Sequence, residues 1–168
     1  MRIAVYAFGK LKTPGLREAS DYYKKLTQSW IPIEEIELKP LSVPDKLPQT
    51  RLQIQAKEGE ILLSRLNPSQ NNFGGRHLVY LLDETGKTKT TAEWAEDLRS
   101  WENKSIPRIS FCIGSSLGFS KEVRQLAKGC ISLGSQTLPH ELCRVVLLEQ
   151  LFRAQSVVQG HPYHNSGL

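Results

Sequence analysis

The sequence predicts an α/β fold: a mainly parallel sheet flanked by helices. Three observations predict it. Strand-like apolar segments alternate with helix-like segments five times, the runs 78–82 and 109–113 are apolar at almost every position, and each is followed by a glycine-containing loop and a helix. A strand apolar on both faces needs cover on both faces, which helices on either side of a parallel sheet provide. The 168 residues fit one domain spanning 1–168, and a chain of that length builds a core without disulfide or metal support.

Each element follows from local pattern. Ile3, Val5 and Ala7 interleaved with Tyr6 and Phe8 read as a buried strand ending at Gly9. Pro14, allowed near a helix start, opens a helix over 14–29 with Leu16, Ala19, Tyr22, Tyr23 and Leu26 at spacings of three and four. Ile31, Ile33, Ile36 and Leu38 predict a second strand, with Glu34, Glu35 and Glu37 partly facing water. Residues 39–50 carry Pro40, Pro44 and Pro48 and read as a loop. A helix over 52–66 rests on Ile54, Ile61, Leu62 and Leu66, and the polar stretch 67–72 ends it.

The run 77–83 is the third strand, and Thr90 with Glu93 three residues later is a capping box for a helix carrying Trp94, Ala95, Leu98 and Trp101. The strand 109–113 closes at Gly114. A helix over 121–128, a short strand over 130–133 and a long helix over 141–159 complete the series.

Composition narrows the function classes. With 39% hydrophobic and 23% charged residues the chain sits among globular proteins. No apolar run approaches the ~18 residues of a membrane span, and the start lacks the pattern of a signal peptide, so a cytoplasmic location is expected. Cys112, Cys130 and Cys143 form an odd set without C-x-x-C spacing, which argues against a disulfide framework or a zinc site and for buried thiols. No metal is expected. The net charge of +5 is concentrated near the start: residues 1–30 hold six Lys/Arg (Arg2, Lys10, Lys12, Arg17, Lys24, Lys25) against Glu18 and Asp21. A polyanionic partner fits that segment, as does a plain solvated face.

Ligands in parallel α/β sheets bind beyond the carboxyl ends of the strands. Three segments fall there: 82–86, 114–118 and 134–140, with glycines that permit positive φ or close approach. Common nucleotide fingerprints are missing from the relevant turns. The first strand-to-helix turn reads Gly9-Lys10-Leu11-Lys12-Thr13-Pro14-Gly15, and Gly118 is followed by Phe119-Ser120-Lys121, so NAD-type and P-loop readings weaken. The tail His161-Pro162-Tyr163-His164 offers two imidazoles and a phenol, groups suited to proton transfer or RNA contact, or an inert terminus.

Taken together, Leu81-Leu82-Asp83, Ile113-Gly114, the run from Ser132 to His140 with its Thr137-Leu138-Pro139-His140 end, the segment Arg144 to Ala154 and the closing His161-Pro162-Tyr163-His164 resemble the ribosomal RNA large-subunit methyltransferase H family of the knotted SPOUT methyltransferases. The resemblance runs from Met1 to His164. It implies a C-terminal trefoil knot and S-adenosylmethionine as methyl donor. It also implies a homodimer that methylates N3 of a pseudouridine in helix 69 of 23S rRNA on the assembled 70S ribosome. Carried over by position, donor contacts fall on Leu82, Gly114, Leu133, Gly134, Ser135, Gln136, Thr137 and Leu138.

His161, Tyr163 and His164 are the catalytic candidates, reaching a partner subunit's donor, and Lys10, Lys12, Arg17, Arg144 and Arg153 are the RNA-contact candidates. Arg144 and Arg153 also suit dimer contacts. Two stretches depart from the family pattern: Ser115 with the pair Ser116-Leu117 before Gly118, which would reshape the methionine end of the pocket, and the residue after the last His. Ser115 stands where relatives usually carry glycine, which is tolerated at negative φ, and Asn165 follows the last His where relatives usually carry Arg or Lys. Two readings compete with the leading one: a related knotted methyltransferase acting on another RNA, and an inactive ribosome-binding homologue.

Overall fold

In the computed structural model the alternation is complete: β1 (Arg2–Phe8), α1 (Pro14–Thr27), β2 (Ile33–Leu38), α2 (Pro48–Leu66), β3 (His77–Thr88), α3 (Thr91–Asn103), β4 (Arg108–Ile113), α4 (Lys121–Leu126), β5 (Gly129–Ser132) and α5 (His140–Gln159). The structure describes residues 1–66 and 76–163. The strands form one sheet in the order β2-β1-β4-β3-β5, and every neighbouring pair is parallel. All five carboxyl ends therefore meet one edge, where the connecting loops gather. This order, with α5 returning to pack on α1 and α3, is consistent with the knotted passage that the resemblance implies.

The period-two alternation of the strands divides the interior into two cores. Ile3, Val5, Ala7, Ile109, Phe111 and Ile113 face one side and pack with Trp94, Leu98, Trp101, Leu147 and Leu151 from α3 and α5. Ala4, Tyr6, Phe8, Val79, Leu81 and Cys112 face the other, against Leu62 and Leu66 of α2 and Phe119 and Val123 at α4. Every residue of β4 is buried, as the unbroken run predicts for a central strand. The capping box forms as read: the Glu93 N–H donates to Thr90 Oγ1 at 3.2 Å, and the Thr90 N–H donates to Glu93 Oε2 at 2.7 Å.

Most boundaries shift by a residue or two from the sequence reading, and three differences have a clear physical reason. α2 begins at Pro48 rather than at residue 52, because proline in a first turn has no intrahelical N–H bond to lose. β2 starts at Ile33, two residues late, and Glu35 is mostly buried, held by Lys24 Nζ at 2.9 Å and by the Ser20 hydroxyl at 3.0 Å.

The largest difference is β3, which continues to Thr88. Its register against β5 shifts between Leu82 and Lys87, so the expected loop 82–86 is a bulge inside a strand. Gly86 makes this possible, since a Cβ there would lie 2.7 Å from backbone atoms of Cys130 and Ile131. Gly86→Ala is therefore expected to destabilise by roughly 1–3 kcal/mol, the usual cost of overpacking, read as a lower denaturation midpoint. An unchanged midpoint would show that β5 gives way freely.

Candidate functional site

The loops at the carboxyl edge enclose a cavity of about 580 Å³. Its walls come from the three segments picked out in the sequence, together with the first turn of α5. β3 supplies Leu82, Asp83 and Glu84; the stretch after β4 supplies Gly114, Ser115 and Phe119; the stretch after β5 supplies Leu133, Gly134, Gln136, Thr137 and Leu138. Ile113, Ser132, His140 and Cys143 also line it. Ser135, from the same predicted set, is exposed and does not line the cavity.

Each wall is held by hydrogen bonds whose donors and acceptors the sequence supplies locally. Asp83 Oδ1 accepts from the Thr85 N–H at 2.9 Å and from its hydroxyl at 2.6 Å, while Oδ2 pairs with Arg124 at 2.6 Å. Burial alone would raise this carboxyl, but the Thr85 bonds and Arg124 outweigh it and hold Asp83 below the usual carboxylate range. It stays ionised near neutrality. The Thr137 hydroxyl donates to Glu84, which ties the third wall to the first. The Gly118 N–H donates to Ser115 O at 3.0 Å, closing a turn for which Gly118 adopts φ +70°. Ser105 is the one non-glycine with positive φ among the described residues, so Ser115 sits at negative φ as its hydroxymethyl group requires.

Two further lining residues lie outside the donor contacts carried over from the resemblance and bear on the chemistry of the wall. Cys143 lies one turn into α5, and burial pushes its thiol up to about 11, leaving a neutral, unreactive wall. His140, the first residue of α5, has a buried Nδ1 with no hydrogen-bond partner among the described residues. A buried ring nitrogen left unpaired is costly, and this imidazole packs against Gly9 at the end of β1.

A family profile described as predicted SPOUT methyltransferase matches residues 1–164. The chain belongs to the SPOUT methyltransferase family. It is 37% identical over 165 residues to a protein of Bacillus pumilus named ribosomal RNA large subunit methyltransferase H, covering 98% of this chain and 99% of that one. A protein of the same name from Maridesulfovibrio salexigens is 37% identical over 157 residues, 94% of each chain. Among solved structures, one described as a probable methylase family protein from Haemophilus influenzae superposes with a TM-score of 0.56 at 11% identity, over 98% of this chain and 70% of that one. That last likeness is one of fold.

Within this SPOUT chain the described part of the tail, residues 161–163, lies away from the cavity. His140 lines the cavity at the start of α5, while His161 and Tyr163 follow its end, and a 20-residue helix spans roughly 30 Å. His161 sits edge-on to Trp30 and Phe152, with ring centroids 5.5 and 6.4 Å away. The Tyr163 ring is 4.5 Å from that of Phe152 and lies under the Arg153 guanidinium, and its hydroxyl donates to Glu149 at 3.2 Å. Burial, Tyr23 and the Glu149 carboxylate push the phenol up to about 12. His164 lies outside the described residues.

The cation candidates separate just as clearly. Lys10 and Lys12 are exposed in the turn after β1, which Glu141 of α5 holds by accepting from the Lys12 and Thr13 N–H groups at 3.1 and 2.9 Å. Gly9, which opens that turn, packs against the ring of His140, a lining residue of the cavity. Arg17 pairs with Glu37 at 2.7 Å, and Arg153 with Glu149 at 2.5 Å. Arg144 corrects the sequence reading. Only 1% of its side chain is exposed, and it donates to Glu37 at 2.8 Å and to Gly9 O at 2.5 Å, so it joins α5 to β1 and β2 and has no surface to offer RNA.

Proposed function

We propose that this chain is an S-adenosylmethionine-dependent rRNA methyltransferase that works as a cytoplasmic homodimer of single 1–168 domains. Its substrate on this reading is N3 of a pseudouridine in helix 69 of 23S rRNA, within the assembled 70S ribosome. The observation that carries the reading is the cavity itself. Seven of the eight residues expected to contact the donor line one pocket at the carboxyl edge of the sheet.

The pocket suits the donor's chemistry. Leu82, Leu133 and Leu138 offer an apolar surface for a flat heterocycle, and the loop backbones offer polar contacts beside it. When bound, the donor supplies a methyl group already activated on a sulfonium centre. The protein's own tasks are alignment and proton removal. The walls fix the position of the transferred group, and the exposed Lys10 and Lys12 in the turn after β1 attract the RNA backbone. His161 or His164 takes the N3 proton, with Tyr163 beside them. The length of α5 supports a tail donated by the partner subunit, since a protomer's own tail starts roughly 30 Å from its pocket.

The test is to incubate the protein with labelled S-adenosylmethionine and unmodified 70S ribosomes, 50S subunits or free rRNA, and to map the methylated nucleotide. Label at one helix 69 pseudouridine, strongest with 70S, is expected. Label confined to tRNA would replace this reading with that of a related enzyme on another RNA. Ribosome binding without methylation would leave an inactive homologue.

A further inference from the structure

Glu58 is a buried carboxylate, 2% exposed, on a helix that does not line the pocket. Among the described residues it forms no ion pair. A carboxylate in that setting is a poor stabiliser, because desolvation costs more than neutral hydrogen bonds return. Its partners explain its presence. Oε1 accepts from the Leu41 N–H at 2.8 Å, in the proline-rich connection before α2, and Oε2 accepts from the Ser115 hydroxyl at 2.6 Å, on the pocket wall.

The contact continues into the wall. Ser115 Oγ accepts in turn from the Leu117 N–H at 3.1 Å. One turn earlier on the same face of α2, Gln55 Nε2 donates to Leu117 O at 2.5 Å. Both polar groups of the Leu117 backbone are therefore governed from α2. Gly59 permits the close packing, since a Cβ there would lie 2.4 Å from Ser120 Oγ. Two donors converge on position 58, and a carboxylate is the side chain of that size with two oxygen acceptors.

We propose that Glu58 is a positioning residue of the donor pocket, its carboxylate acting through the Ser115 hydroxyl to fix loop 114–118 as one wall and to tie it to the surface connection 39–47. This rests on the reading of the cavity as the S-adenosylmethionine site. The side chain touches neither donor nor RNA; it sets where the wall stands. Replacing it should raise the KM for the donor and leave kcat at saturating donor nearly unchanged.

The test compares wild type, Glu58→Met, Glu58→Gln, Ser115→Ala and the Glu58→Met/Ser115→Ala double variant. Donor affinity is measured by calorimetry, amide exchange at Leu117 and Gly118 without donor, and melting in parallel. Glu58→Met and Ser115→Ala should each weaken donor binding about tenfold, the worth of one charge-assisted hydrogen bond. Both should speed exchange, and the double variant should be no weaker than Glu58→Met alone. Glu58→Gln, which keeps one acceptor, should recover part of the loss. Ser115→Ala keeps the Leu41 contact and should melt close to wild type.

Unchanged exchange and affinity in Ser115→Ala would overturn the positioning role, as would additive losses in the double variant. A wild-type protein that fails to bind S-adenosylmethionine would instead overturn the reading of the pocket. Exchange needs no donor and reports on the loop in either case.

Discussion

Replacing Arg144 with alanine is expected to cost about 3–5 kcal/mol of folding stability, as breaking a buried ion pair does elsewhere. The guanidinium is buried at the junction of α5, β1 and β2, where it bonds the Glu37 carboxylate and the Gly9 carbonyl. Alanine leaves both acceptors facing a void lined by a charge. Lysine should fall between, because a compact ammonium keeps the charge but lacks the spread of the planar guanidinium fork that reaches Glu37 and the Gly9 carbonyl from two nitrogens. Denaturant titration reads the loss, and a change below about 1 kcal/mol, the scale of a surface pair, would contradict this placement.

The same cluster predicts acid sensitivity. Burial alone would raise the Glu37 carboxyl, but Arg144, the Leu11 N–H and Arg17 overcome it and lower its value from 4.5 to about 2. A carboxyl lowered on folding contributes stability above its unfolded value, and that contribution is lost as pH falls from about 4.5 towards 2. Arg144→Ala should flatten this part of the stability profile.

Removing residues 161–168 is expected to lower methylation of ribosomes by at least ~10²-fold, the scale of a lost general base, while donor affinity stays within about twofold. The basis is distance, because the tail begins at the far end of α5 and the pocket needs nothing from its own protomer's tail. Mixing supplies the sharper result. A tail-deleted protomer combined with one carrying Leu138→Arg in its pocket should regain activity that neither shows alone, since one contributes a pocket and the other a tail. Near-normal turnover by the tail-deleted protein would remove His161, Tyr163 and His164 from the chemistry. Absence of recovery in the mixture, with hybrid dimers demonstrated, would remove the shared site.

The legible parts of the fold were those written in apolar periodicity. β1 and β4 are buried along nearly their whole length, and no other element tolerates such runs. The extension of β3 through Asp83 to Thr88 was hidden because its residues are mostly polar and it pairs with β5 only after a register shift that Gly86 permits. The pocket was legible as three glycine-bearing loops, since parallel topology sends them all to one edge. Arg144 and Glu58 were not, for a shared reason. A charged residue in an amphipathic helix reads as solvated, and only the tertiary arrangement reveals the acceptors or donors that bury it.

The pairing of α1 with β2 bears on how the protein should respond to salt. Arg17, Lys24 and Arg144 are engaged by Asp21, Glu35 and Glu37, so these three cations are matched by three carboxylates inside the molecule and displace few of the ions condensed on an RNA backbone. In polyelectrolyte terms each cation that does neutralise a phosphate steepens the log–log fall of affinity with salt by about 0.7–0.9. The six Lys/Arg of residues 1–30 thus overstate the number of cations free to meet phosphates. RNA affinity should decline gently as ionic strength rises, with Lys10→Ala and Lys12→Ala each flattening it by one such increment and Arg17→Ala leaving it nearly untouched.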